Sequence, residues 1–168
     1  MAPAGWRKTG LSALSYDVRM TTNEPELAIK SPVLQRLYQE WNSRRRGRRM
    51  PARADFDPVD LKYVLGYLSL IDVQRDPLRF RFRIHASNVA GRVGFDLTGK
   101  DVEAIADVHY RKLVRTHYTS VVEQRWPVVE FRDRVMTDNV CLHCEVLALP
   151  LGDDGETVDR IMTGMVWC

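Results

Sequence analysis

Cys141-Leu142-His143-Cys144 has the residue types for metal ligation or thiol chemistry. The segment reads as a strand, on which positions i and i+3 point to opposite faces, so the two thiols cannot chelate one ion together. Cys141, His143 and Glu145 do share a face, about 7 Å apart per step, but a fourth ligand would have to come from elsewhere. A buried or wall-lining cysteine pair is therefore expected, and no metal site. A thioredoxin-like role is not expected either, because such a pair is activated at a helix N-terminus.

Histidine offers the other route to chemistry. His117 falls on the apolar stripe of a long helix, where a hydrogen-bonded core or pocket histidine is the ordinary outcome and a catalytic base or haem ligand the exception. His85 falls on the polar side of an alternating strand, and His109 near a helix start. Neither has a sequence neighbour that would form a dyad. No G-x-S-x-G, Walker loop or dinucleotide fingerprint occurs, and Gly91, Gly94 and Gly99 lack phosphate-loop spacing.

The third chemical feature is charge. Arg44, Arg45, Arg46, Arg48, Arg49 and Arg53 fall within ten residues that hold no acid, although the whole chain carries a formal charge of only +3. The basicity is thus local and the body of the chain mildly acidic. Arg44, Arg45, Arg46, Arg48 and Arg49 form a candidate anion patch, since guanidinium pairs with phosphate. The alternative is a solvated helix end whose cations complement the carbonyl dipole. No aromatic residue interleaves Arg44 to Arg49, so a stacking platform for single strands is missing.

These residues must be held by identifiable elements. Ser31-Pro32 starts a helix running to about Arg45, with Ser as cap and Pro at the first helical position. Val33, Leu34, Leu37, Tyr38 and Trp41 make one apolar stripe on it. Leu34, Leu37, Tyr38 and Trp41 are candidates for a partner or subunit interface, unless the stripe is buried on the chain's own sheet. Asp57-Pro58 starts a short helix carrying Leu61, Val64 and Leu65 that stops at Gly66. Residues 67 to 75 are strand-like, Asp76-Pro77 is a turn, and residues 79 to 85 form the second strand of a hairpin. In RFRFRIH, Phe80, Phe82 and Ile84 fall on one face and Arg79, Arg81, Arg83 and His85 on the other.

A short helix capped by Ser87 or Asn88 ends at Gly94, and Gly99 closes the next turn. From about Asp107 to Arg125 a longer helix carries Tyr110, Leu113, Val114, His117 and Val121 on one side and stops before Pro127. Strands at 128–136, 139–151 and 158–167 follow, separated by Thr137-Asp138-Asn139 and by the GDDG turn at 152–155. Phe82, Ile84, Tyr110, Leu113, Val114 and His117 are the candidate ligand pocket, formed where the strand's inner face meets the long helix.

Three blocks, WNSRRRGRRMPARADFDPVDL, FRIHASNVAGRVGFDLTGK and EVLALPLGDDGETVDRIM, together resemble the bacterial PAS_5 family of PAS domains over roughly residues 31 to 167. The resemblance implies an α+β fold: a five-stranded antiparallel sheet of order 2-1-5-4-3 with helices on one face, here preceded by an N-terminal helical extension. It implies a sensory or protein-interaction module without catalytic residues. The asparagine-cysteine-arginine motif of flavin-photoreceptor PAS domains is absent, and no cofactor is expected, only an unidentified small ligand. The expected partner is a signalling protein such as a histidine kinase, with a homodimer as the other assembly.

Composition agrees with one domain. The chain has 168 residues, 45% of them hydrophobic and 28% charged, as in an average globular protein. Residues 1–30 read as a loosely docked extension and 31–168 as the domain with its leading helix at 31–45. No apolar run spans a bilayer and the start lacks a secretory signal, so a cytoplasmic location is expected. Three cysteines, an odd number, point to reduced thiols. The rival readings are a small α+β enzyme of the nuclear-transport-factor-like kind, using His117 or His85 in an open pocket, and an arginine-led nucleic-acid binder.

Overall fold

The structure is a computed structural model that describes residues 24–135 and 141–168. Five strands, β1 (Leu68–Gln74), β2 (Arg79–Ile84), β3 (Val128–Val135), β4 (Cys141–Leu151) and β5 (Arg160–Trp167), form one antiparallel sheet of order β2-β1-β5-β4-β3. This is the expected order. The inner face is covered by α2 (Ser87–Val93) and α3 (Val108–Gln124). Along β5 the alternation is direct: Thr163 and Met165 face Val114 and Tyr118 of α3, while Gly164 faces outward.

The outer face is covered by α1 (Pro32–Arg44), whose cap is Ser31, its side chain accepting from Leu34 N. Leu34, Leu37 and Trp41 of the predicted stripe have no solvent exposure. A Cβ on Gly164 would come within 2.7 Å of Leu34 and 3.0 Å of Leu37, so the glycine lets the helix lie directly on the central strand. Trp41 Nε1 donates to Pro150 O at 2.8 Å and meets Trp126 edge-on. The stripe is therefore spent within the chain, which removes Leu34, Leu37 and Trp41 as a partner or subunit interface; Tyr38 is half-buried.

Residues 24–30 are not loosely docked. The buried Glu145 carboxylate accepts from Lys30 N at 2.8 Å and Ser31 N at 2.7 Å, which ties the segment entering α1 to β4. The rest of the predicted extension, residues 1–23, and the predicted Thr137-Asp138-Asn139 turn lie outside the described residues.

The cap of α2 is Ala86, with no side-chain bond, and not Ser87 or Asn88. Two further local expectations are corrected. The short helix after Asp57-Pro58 is instead a series of tight turns at 58–64 followed by a 3-10 turn, Leu65–Tyr67. Its amides bond three residues back, as Asp60 N to Asp57 O and Val64 N to Leu61 O do, and Gly66 ends a run too short to settle into α-helix.

The second correction matters more. Ile71 pairs with Phe82 but Leu70 pairs with Ile84, so Arg83 is an extra residue, a β-bulge. The bulge shifts the inward–outward phase by one residue. Phe80 and Phe82 point inward as expected, Ile84 is 51% exposed, and His85 turns inward and is buried. No helix among the described residues is long and apolar enough to cross a membrane.

Candidate functional site

Between α3 and the sheet lies a cavity of about 20 Å³. Phe82, Tyr110 and Val114 line it, as the strand and helix periods predict. Leu113 is only partly buried and lies outside its wall, and Ile84 is on the other side of the sheet. The cavity is far below the roughly 300–1,000 Å³ of a drug-sized ligand site. The interior is therefore nearly filled core.

His117 also lies outside the lining, and the arginine in the wall was not foreseen. Arg132 of β3, 5% exposed, reaches inward. Its Nη1 donates to Tyr110 Oη at 3.3 Å, and its Nη2 to His117 Nδ1 at 3.2 Å and to Glu130 Oε2 at 3.4 Å. His117, with no solvent exposure, donates from Nε2 to Val128 O at 3.1 Å, which fixes the tautomer whose Nδ1 accepts from Arg132. Burial, aided by the Arg132 charge, lowers the His117 pKa to about 3, so the imidazole is neutral. Burial pushes the Glu130 carboxyl up against the pull of Arg132, and raises the Tyr118 hydroxyl, which bonds to Thr163. Cys144, also inward, is buried and its thiol raised to about 11, the opposite of a reactive thiolate.

The neutral imidazole gives a test. In His117 the ring signals followed by NMR should not titrate between pH 8 and 5, because protonation waits until about 3. The unfolded ring takes its proton near pH 6.5. As pH falls through that value the unfolded chain gains a proton that the fold refuses, and this contribution to stability is progressively lost. A ring midpoint near 6.5 would place His117 in water.

His85 is enclosed as well. Its Nδ1 accepts from Leu97 N at 3.2 Å, and its ring lies edge-on to Phe82 and stacked on Phe95. Burial lowers its pKa. Neither histidine stands in an open pocket. Cys141 and His143 are exposed, while Glu145 on their face is committed to Lys30 and Ser31; among the described residues no group of side chains could hold a metal ion.

Half of the arginine run is paired within the chain. Arg44 pairs with Glu40 and Asp60, Arg45 with Glu24 while lying over Trp41 and Trp126, and Arg48 with Asp55. Arg46 and Arg49 remain exposed. Glu40 and Asp55 flank the run, and Asp60 and Glu24 lie 16 and 21 residues from their arginines; with no acid inside it, the run read as a free patch. Arg44→Gln is expected to cost about 1 kcal/mol in urea unfolding, and Arg46→Gln or Arg49→Gln almost nothing. Equal effects at all three positions would contradict the pairing.

The open site is on the outer face. A groove of about 110 Å³ is walled by Phe56, Leu61, Leu65, Leu70, Ile84 and Met162, almost wholly apolar. Ile84 and Leu65 expose 51% and 44% of their surfaces. Arg53 lies at the rim, its Nη1 donating to Phe56 O, with no acidic partner among the described residues. Sequence reasoning missed the groove because it needs the bulge; the adjacent Arg83, exposed and paired with Asp72, is the only local sign.

A sheet of order 2-1-5-4-3 with a short and a long helix on its inner face defines the chain as a PAS-type sensory module. It belongs to the PAS_5 family, whose model, described as a PAS domain, matches residues 29–166. No curated protein and no solved structure matches the chain significantly.

Proposed function

We propose that this PAS module is a non-enzymatic regulator that acts by docking a partner signalling protein in the outer groove. The observation that carries the reading is the bulge-turned Ile84, which with Leu65 leaves an apolar groove open on the outer face of the sheet. Apolar surface of this kind, rimmed by charge, is characteristic of interaction sites. Arg53 sets the chemistry of the occupant: a segment that inserts an aliphatic or aromatic side chain and carries a carboxylate beside it. A histidine kinase or another regulator presenting such a segment is the partner class proposed.

The filled interior fits this reading, since docking needs no large cavity. Catalysis through His117 or His85 has no support in histidines that are buried and neutral. The internal ion pairs of the arginine run likewise favour a protein partner over nucleic acid. The test is photo-crosslinking in cells with benzoylphenylalanine at Ile84, compared with Leu78, which is exposed beyond the groove. A discrete adduct with one signalling protein from Ile84 and not from Leu78 is expected. Identical adducts from both positions, or none from Ile84, would overturn the groove as the docking site.

A further inference from the structure

The interior has no room for a small organic ligand, but one end of the sheet does. Strand β1 starts only at Leu68, opposite Gly164, after the 3-10 turn Leu65–Tyr67, so Val166 and Trp167 of β5 extend past its last pairing. Ser31 and Val33 at the start of α1 flank this end on the outer side, and Asn88 and Arg92 of α2 on the inner side. Gly66 lets α2 approach the turn, since a Cβ there would come within 2.5 Å of the Asn88 amide. The groove left between these elements holds about 690 Å³, within the roughly 300–1,000 Å³ of small-molecule sites.

Its chemistry is set by rings and by unspent donors. Tyr63, Tyr67 and Trp167 bring aromatic surface to the wall. Tyr63 Oη and Trp167 Nε1 are enclosed and make no hydrogen bond with any described residue. Arg92 lies over the Trp167 ring at 5.0 Å and Arg36 over the Tyr63 ring at 3.8 Å. Both arginines are exposed, neither has an acidic partner among the described residues, and no carboxylate of those residues lines the groove. A guanidinium resting on a ring is held less firmly than one forked onto a carboxylate, so an incoming anion can draw it off. We propose that this groove binds a small aromatic carboxylate, its ring laid on Trp167 and Tyr67 and its charge on Arg92. Water alone uses neither the rings nor the guanidinium, whereas a flat apolar body with one negative end uses both.

The turns at 58–67 put Leu61 and Leu65 in the docking groove and Tyr63 and Tyr67 in this one, yet binding here needs no partner, so its failure and that of docking are distinguishable. In the intact isotope-labelled chain the indole Nε1–H resonance of Trp167, identified by its loss in Trp167→Phe, is followed by NMR. Sodium cinnamate, neutral cinnamamide and sodium cyclohexanepropionate are added separately at matched ionic strength. A saturable shift with cinnamate is expected, while the amide, which lacks the charge, and the saturated acid, which lacks the flat ring, should each require about tenfold more. Arg92→Gln should weaken cinnamate binding by about tenfold and leave the melting temperature unchanged, because the side chain is exposed. No saturable shift with cinnamate would overturn the proposal. So would half-saturation at the same concentration by the amide or the saturated acid, or cinnamate binding that is unchanged in Arg92→Gln.

Discussion

Leu37→Asp is expected to lower the melting temperature by about 10 °C or more. Leu37 has no solvent exposure and lies on Gly164 in the centre of the sheet, where α1 packs on the outer face. The substitution loses about 1.5–3 kcal/mol of apolar burial and places a carboxylate where it finds no water, so the total is about 4 kcal/mol or more. For a chain of this length each kcal/mol moves the midpoint by about 2–4 °C. Thermal unfolding followed by circular dichroism reads the result, with Val33→Asp, on the exposed side of the same helix, as the control. If Leu37→Asp melts with the parent, α1 is not part of the core.

Ile84→Asp is expected to do the reverse. Its side chain is half in solvent, so stability should stay within about 1 kcal/mol of the parent. Affinity for the protein captured through position 84 should fall by about thirtyfold or more, the effect of about 2 kcal/mol at a central apolar contact. Arg53→Glu should weaken the same complex by opposing the partner's carboxylate. Calorimetric titration of parent and variants reads both. An unchanged affinity in Ile84→Asp would remove the groove from the interface.

The elements were legible because each carries its own period and punctuation. Ser31-Pro32 and the Leu34, Leu37, Trp41 stripe set α1, alternation set Phe80 and Phe82 inward, and Asp107 caps α3 by accepting from Tyr110 N. What the sequence did not show depends on register and on contacts between distant residues. A single bulge at Arg83 reverses Ile84 and His85, and nothing in strict alternation announces where a ladder will slip. Arg132 was not singled out, because strict alternation along the 128–136 strand groups Val129 with Phe131 as the apolar side and leaves Arg132 on the polar one. Phe131 in fact faces out under Lys30, and the inward position goes to the arginine that Tyr110 and His117 receive. The ion pairs of the arginine run were hidden for the same reason, since Asp60 and Glu24 are far from Arg44 and Arg45 in sequence.

Docking of a protein in the outer groove is read by methyl NMR of the labelled chain titrated with the protein captured at position 84. Shifts are expected only at the methyls of Ile84, Leu65, Leu70, Leu61 and Met162, with Ile105, Val114 and Val146 of the inner face unmoved. Shifts that begin at the inner-face methyls, or that leave Ile84 in place, would contradict it.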